Sequence, residues 1–247
     1  RVLIRADGVK TYFASDVAYL KNKFKRGYHK LIFFLGADHY GYVARLKAGA
    51  LATGLEKEKI EALVLQLVRL FEGGKEVRMS KRTGIYVAMD ELIDEVGLDV
   101  ARFFFLQRSL NTHFNFDMDL AKEKSEKNPV FKVQYAYARI NSIFKKTSIK
   151  PKAQGLEFLK EPSELELMKK IIKFPEVVED TAKDYQLQRL PSYALELAES
   201  FHKFYENCKV ICEDEKLTKT RLSLIVAAKI VFKSTLDLMG ISAPEKM

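Results

Sequence analysis

Only two of the 247 residues are cysteine, Cys208 and Cys212. Two thiols cannot complete a four-ligand zinc site. Four apart on an expected helix, they read as small buried hydrophobes rather than a redox pair. Long apolar runs are missing as well. No stretch approaches the roughly 20 residues of a membrane span, and the start carries no signal-peptide pattern. No membrane association is expected, and cytoplasm is the default compartment. Acidic residues fall short of basic ones, 33 against 42, giving a net charge of +9. The imbalance concentrates in residues 122–152, where nine Lys and Arg face only Glu123 and Glu126, a surplus of seven. Interleaved with Tyr135 and Tyr137, that surplus favours a polyanionic partner, most simply RNA. The alternative is a solubilising basic face. Otherwise the composition is ordinary for a globular protein, 47% hydrophobic and 30% charged, with room for one large domain or two ordinary ones.

Along the chain the pattern changes once. Up to about residue 110 it reads as α/β. Val2-Leu3-Ile4 is a short expected strand, ending at Ala6-Asp7-Gly8. Phe13, Val17, Leu20 and Phe24 recur at helical spacing. Leu31 to Leu35 is a continuous apolar run closed by Gly36, as in a strand buried on both faces of a parallel sheet. A helix should follow from about Tyr42 to Ala52, and Leu63 to Val68 should be the next buried strand. After Asp99, an expected N-cap, nearly everything reads as helix, apart from an extended connector at Phe114–Asp119. Pro129 suits the first position of a helix whose core stripe is Val130, Val133, Tyr137, Ile140 and Phe144. Ser163 and Glu166 fit a capping box. Residues 191–212 form another helix, and Thr218 would cap the last one, which ends at Gly240. Lys146 to Pro162 is a loop. The expected fold class is therefore α/β followed by all-α: a partial Rossmann-type parallel sheet, then an α-helical bundle.

Four constellations could carry chemistry. Val77 to Gly84 follows an apolar run and the Gly73-Gly74 turn. Cations and a hydroxyl on such a loop suit a polyphosphate clamp, which needs positive charge where negative charge develops. Lys81 supplies a compact ammonium and Ser80 a hydrogen bond; a solvated basic turn after a hairpin is the alternative. Gly36, Asp38 and His39 lie at the carboxyl end of a strand, where open parallel sheets bind ligands. There Gly36 permits close backbone approach and Asp38 could accept from a ribose, unless it only caps the next helix. Tyr12 and Asp16, four apart, share a helix face and offer a guanidinium a ring and a carboxylate; a surface Asp near a helix start is the alternative. Asp7 is a fainter candidate for the same pocket, or simply a turn residue. Tyr135, Arg139 and Ser142 lie off the apolar stripe, a stacking plane beside a charged one, as in single-strand base recognition. An ordinary exposed helix face would look the same.

The text of these segments adds a resemblance. Arg78-Met79-Ser80-Lys81-Arg82 resembles the Lys-Met-Ser-Lys-Ser loop of class I aminoacyl-tRNA synthetases. Thr11 to Tyr19, Gly36 to Tyr42, Asn128 to Arg139 and Ser242 to Met247 are similar to bacterial arginyl-tRNA synthetase. The likeness runs from residue 1 to residue 247. It departs at one place: the family's His-Ile-Gly-His motif is absent, the only histidines being His29, His39, His113 and His202. The chain also begins with Arg1. It thus resembles the C-terminal part of a longer enzyme, with residues 1–119 as the second half of a catalytic domain and 120–247 as a helical anticodon-binding domain.

What the resemblance implies is specific. Lys81 and Ser80 would be catalytic, stabilising the transferring phosphates. Tyr12 and Asp16 would read the arginine side chain, while Gly36, Asp38, His39 and Met79 would face ATP. Tyr135, Arg139, His202, Tyr205 and Met247 would contact the anticodon of arginine tRNA. ATP would be a substrate, with Mg2+ expected beside it; no metal-ligand cluster is visible in the sequence. A monomer is expected, as is inactivity of these 247 residues alone. Two rivals remain at this point: a non-catalytic RNA-binding module derived from a synthetase, and another Rossmann-type nucleotidyltransferase that uses no tRNA.

Overall fold

Thr11 starts the first helix. Its side-chain oxygen accepts the Ala14 N–H at 3.3 Å, satisfying one of the donors that a helix start leaves free. In the computed structural model, which describes residues 2–77, 87–151 and 155–247, this helix is α1 (Tyr12–Lys25). The chain divides into two compact units, Arg1–Val68 with Leu110–Phe114, and Arg69–Ser109 with Asn115–Met247.

In the first unit, β1 (Leu31–Gly36) and β2 (Ile60–Leu65) pair in parallel, from Leu31 opposite Ile60 to Gly36 opposite Leu65. Between them run a 3-10 turn, Ala37–Tyr42, and α2 (Val43–Ala52). Leu20, Leu31, Leu46, Ala50 and Ile60 form the core, with Phe24 and Phe33 against it. Gly49 lets α2 approach α1, since a β-carbon there would lie 2.6 Å from Val17. Three expectations are corrected. The Val2–Ile4 strand is a single bridge from Ile4 to Lys10 around a turn. Strand β2 begins at Ile60 and ends at Leu65, and Val68 opens the next strand instead. Burial of β1 on both faces does not hold: Leu31 is buried, but Ile32 and Phe34 are 41% and 64% exposed. The apolar run reports strand character, while the number of covered faces depends on packing partners that the run cannot encode.

The second unit contains a sheet ordered β4–β3–β5, from β3 (Val68–Glu72), β4 (Lys75–Glu76) and β5 (Phe114–Asp117). Gly73 turns β3 into β4 and donates its N–H to Asp119 at 2.7 Å. The expected connector at 114–119 is thus a strand followed by α5 (Met118–Lys122), capped by Asp117. Helices α3 (Met89–Val96) and α4 (Leu98–Leu106) meet at Gly97, whose φ of +85° suits glycine. Asp99 is not the N-cap. It sits inside α4, and its carboxylate accepts from Gln134 at 2.9 Å and from the Ser242 N–H at 3.1 Å.

Five helices complete this unit: α6 (Pro129–Phe144), α7 (Pro162–Ile172), α8 (Phe174–Asp184), α9 (Arg189–Asn207) and α10 (Glu215–Met239). Pro129 stands at the start of α6 behind an Asn128 cap, as its fixed φ favours. Val133, Ile140, Leu167, Leu197, Phe201, Phe204, Leu222 and Phe232 are fully buried among them. Within this core, Arg221 donates to Glu164 at 2.7 Å and to the Lys209 carbonyl at 2.9 Å. Two further caps differ from expectation. Glu161 precedes α7, and Glu164 reaches back to its N–H at 3.0 Å, so the box lies two residues earlier than Ser163. Asp214, not Thr218, caps α10; Thr218 is buried and accepts the Cys212 N–H at 3.0 Å. Cys208 and Cys212 do not share a helix, because α9 ends at Asn207, and both thiols are free. Among the described residues, no helix is long and apolar enough to cross a membrane.

Candidate substrate pocket and nucleic-acid interface

The first unit holds two of the expected groups of residues. Tyr12 opens α1 with its side chain in solvent, 88% exposed. Asp16 follows one turn later, but the partner found for its carboxylate is the Tyr42 hydroxyl, which donates to Oδ2. Burial first, and the Asp16 carboxylate second, push the Tyr42 phenol well above its ordinary pKa, so it stays a protonated donor. Tyr42 also sets its ring edge-on to Phe13 at 6.2 Å. Asp16 is therefore held in place, and among the described residues its Oδ1 has no hydrogen-bond partner. Asp7 accepts the Val9 N–H at 3.0 Å, the turn role allowed for it.

Gly36 ends β1, and a β-carbon there would lie 2.6 Å from Asp38 Oδ1. The strand end must be glycine for Asp38 to fold back over it. Asp38 does not cap α2, which begins five residues later. His39 Nε2 lies 3.6 Å from Asp38 Oδ2, and both side chains are largely in solvent. Met79, Ser80 and Lys81 fall outside the described residues. Among the described residues, no group of three or more His, Cys, Asp or Glu could hold a metal ion.

In the second unit, α6 and α9 bring four distant residues together. Tyr135 stacks on His202 at 6.2 Å and on Phe131 at 6.0 Å. The Arg139 guanidinium lies over two rings, 4.7 Å from Tyr135 and 4.8 Å from Tyr205, and also donates to the Tyr135 hydroxyl. Tyr205 in turn stacks on buried Phe201 at 6.2 Å. His202 is half-buried, and burial is the main reason its pKa falls below the ordinary 6.5. At neutral pH it is an uncharged ring. The result is a half-buried face of aromatic planes around one cation, chemistry suited to unpaired bases. Ser142 spends its hydroxyl on the Ala138 carbonyl at 3.1 Å and does not join. Phe131 was missed, though its spacing of four from Tyr135 was a readable signal.

Met247 is 53% exposed, yet the chain just before it is anchored. Gln134, the neighbour of Tyr135, donates to the Ser242 carbonyl at 3.0 Å, and Arg102 donates to the Met239 carbonyl at 3.0 Å.

Comparison with known proteins bears on both units. Residues 133–247 match the DALR anticodon binding domain. The whole chain is 45% identical to proteins named arginine–tRNA ligase from Moorella thermoacetica and from Staphylococcus aureus, covering 45% of each. A solved structure from Campylobacter jejuni, described as an arginyl-tRNA synthetase, aligns over all of this chain and 54% of its own, with 33% identity and a TM-score of 0.87. Over its whole length the chain is similar to arginyl-tRNA synthetases. It spans about half the length of the curated relatives it matches. The arginyl-tRNA synthetase of Thermus thermophilus has the same fold, with a TM-score of 0.82 at 24% identity. The cluster of Tyr135, Arg139, His202 and Tyr205 thus lies inside the stretch that matches an anticodon binding domain.

Proposed function

We propose that this chain is part of an arginine–tRNA ligase, and that its helices α6 and α9 read the anticodon of arginine tRNA. The observation that carries the reading is the ring-and-guanidinium cluster of Tyr135, Arg139, His202 and Tyr205. Met247 would add an apolar contact at the same loop. In the reaction, the arginine carboxylate would attack the ATP α-phosphate and pyrophosphate leave; a terminal ribose hydroxyl of the tRNA would then attack the adenylate's carbonyl and expel AMP. Lys81 and Ser80 would stabilise the transferring phosphates, Tyr12 and Asp16 would hold the guanidinium, and Gly36, Asp38, His39 and Met79 would face the nucleotide. Asp16, oriented by Tyr42, keeps one oxygen for a fork of N–H donors. Mg2+ would arrive with ATP as part of the substrate. Residues 1–119 and 120–247 would be the catalytic and anticodon-binding portions of a monomeric cytoplasmic enzyme.

The test is a titration of the chain and its Tyr135→Ala variant against arginine tRNA with intact and altered anticodon loops. Wild type should prefer the intact loop. The variant should lose about 1–3 kcal/mol, the worth of one base–aromatic stack, with its salt dependence unchanged because tyrosine displaces no counterions. Equal wild-type binding to both tRNAs would refute anticodon reading.

A further inference from the structure

Tyr42 ends an unusual element. Ala37–Tyr42 is six residues of 3-10 helix, where about three or four is the usual limit because the hydrogen bonds are poorly aligned and the side chains eclipse. None of its residues is buried, and Gly36 gives its start no side-chain cap. A segment with so little packing of its own is weakly ordered by itself. What fixes it must come from its two ends.

At one end, Asp38 and His39 lie side by side, largely in solvent. At the other, the turn runs straight into α2, with Tyr42 already in helical backbone conformation. The Tyr42 side chain crosses to α1, where its hydroxyl donates to Asp16 Oδ2 and its ring stands edge-on to Phe13. Phe13 and Asp16, three apart, share a face of α1. One side chain thus ties the end of the turn to the carboxylate. Burial and that carboxylate keep the phenol protonated, so it remains a donor.

The bond limits how Asp16 can turn. An unrestrained aspartate on a helix surface samples several rotamers; with Oδ2 committed to Tyr42, Oδ1 is the oxygen left for a ligand. A ligand that orders the turn at Asp38 and His39 also steadies Tyr42, and through it Asp16. A ligand that fixes Asp16 steadies the turn in the same way. Ordering done by the first ligand is not repeated by the second, which is positive coupling without a large movement.

We propose that Tyr42 is a positioning residue that couples arginine binding to ATP binding: its hydroxyl holds Asp16 ready for the guanidinium, and the 3-10 turn relays the nucleotide's hold on Asp38 and His39 to that carboxylate. The inference rests on the assignment of Asp16 to arginine and of Asp38 and His39 to ATP, and adds a residue that neither assignment includes.

The test uses the full-length enzyme. Arginine affinity is measured by equilibrium dialysis with and without the non-hydrolysable α,β-methylene analogue of ATP. In wild type the analogue should tighten arginine, and arginine should tighten the analogue by the same factor. Tyr42→Phe removes one oxygen and keeps the ring. It should weaken arginine about tenfold, the scale of one hydrogen bond to a charged group, and bring the coupling factor close to one. A residue that merely supported the fold would lower affinity and leave that factor unchanged. Asp16→Ala should weaken arginine too, and adding Tyr42→Phe to it should have no further effect. Thermal melts matching wild type will show that the variants are folded. Should Tyr42→Phe melt early, Asp16→Ala carries the test, since it cuts the same bond and should also abolish the coupling. If Asp16→Ala weakens arginine but wild type shows no coupling, or Tyr42→Phe keeps the wild-type factor, or the two losses add, the inference is overturned and Asp16 remains the arginine residue. Wild-type arginine affinity in Asp16→Ala would sink the underlying reading, and the inference with it.

Discussion

His202 is stacked on Tyr135 as a neutral ring, and that charge state has a consequence for pH. Its pKa lies below the unfolded value near 6.5, chiefly through burial, with Lys132 and Arg139 lowering it further while Glu126 and Glu206 oppose them. An unfolded chain therefore binds the proton more readily than the folded one. The stability this gives is fully present above about 6.5 and is lost as pH falls from there through the folded value. Partial exposure keeps the loss well under the ~1.4 kcal/mol of a full unit. Melting curves should show a lower Tm at pH 5.5 than at 7.5, and His202→Gln should flatten the difference; an equal fall in the variant would place the pH response elsewhere. At this scale the sequence was half legible. Tyr135 and Arg139 announce each other by a spacing of four, because a helix puts such residues on one face. Tyr42 beside Asp16, 26 positions away, and His202 beside Tyr135 do not, because tertiary packing rather than local geometry brings them together.

Helix ends are where sequence and structure part. Thr11, Asn128 and the αL glycine Gly240 sit at helix ends as their chemistry suggests. Asp99, Ser163 and Thr218 have the right chemistry two to four residues past the observed caps, and their polar groups have other work. Periodicity located α1, α6, α9 and α10, since burying a stripe is a whole-element property; caps compete residue by residue, and a buried alternative wins. Glu164 shows the stakes. It is completely buried and ties α7 to Arg221 on α10 at 2.7 Å. Glu164→Ala strands a guanidinium in the core and should cost about 3–5 kcal/mol. Glu164→Leu with Arg221→Met should cost far less, because the charge leaves with its partner. Urea denaturation of the three proteins checks this, and a double variant as unstable as the single one would show that the pair is not the cause.

Taken whole, the chain combines a large helical unit, with its aromatic residues packed in depth, and a small unit whose core is five residues and a few partly covered rings. Net charge of +9 keeps copies apart and draws polyanions. The strand β1 works against that repulsion. Ile32 and Phe34 face outward at 41% and 64% exposure, and among the described residues β1 and β2 pair only with each other. Two-stranded sheets are marginal by themselves. Ile32→Thr with Phe34→Thr keeps strand propensity while removing the apolar face, and light scattering should then record a higher concentration before turbidity, with the far-ultraviolet signal of the helices unchanged. An unpaired ladder edge beside an oily face is also what seeds fibrils. As salt screens the positive charge, the segment from Leu31 to Gly36 is the place where one molecule would begin to template the next.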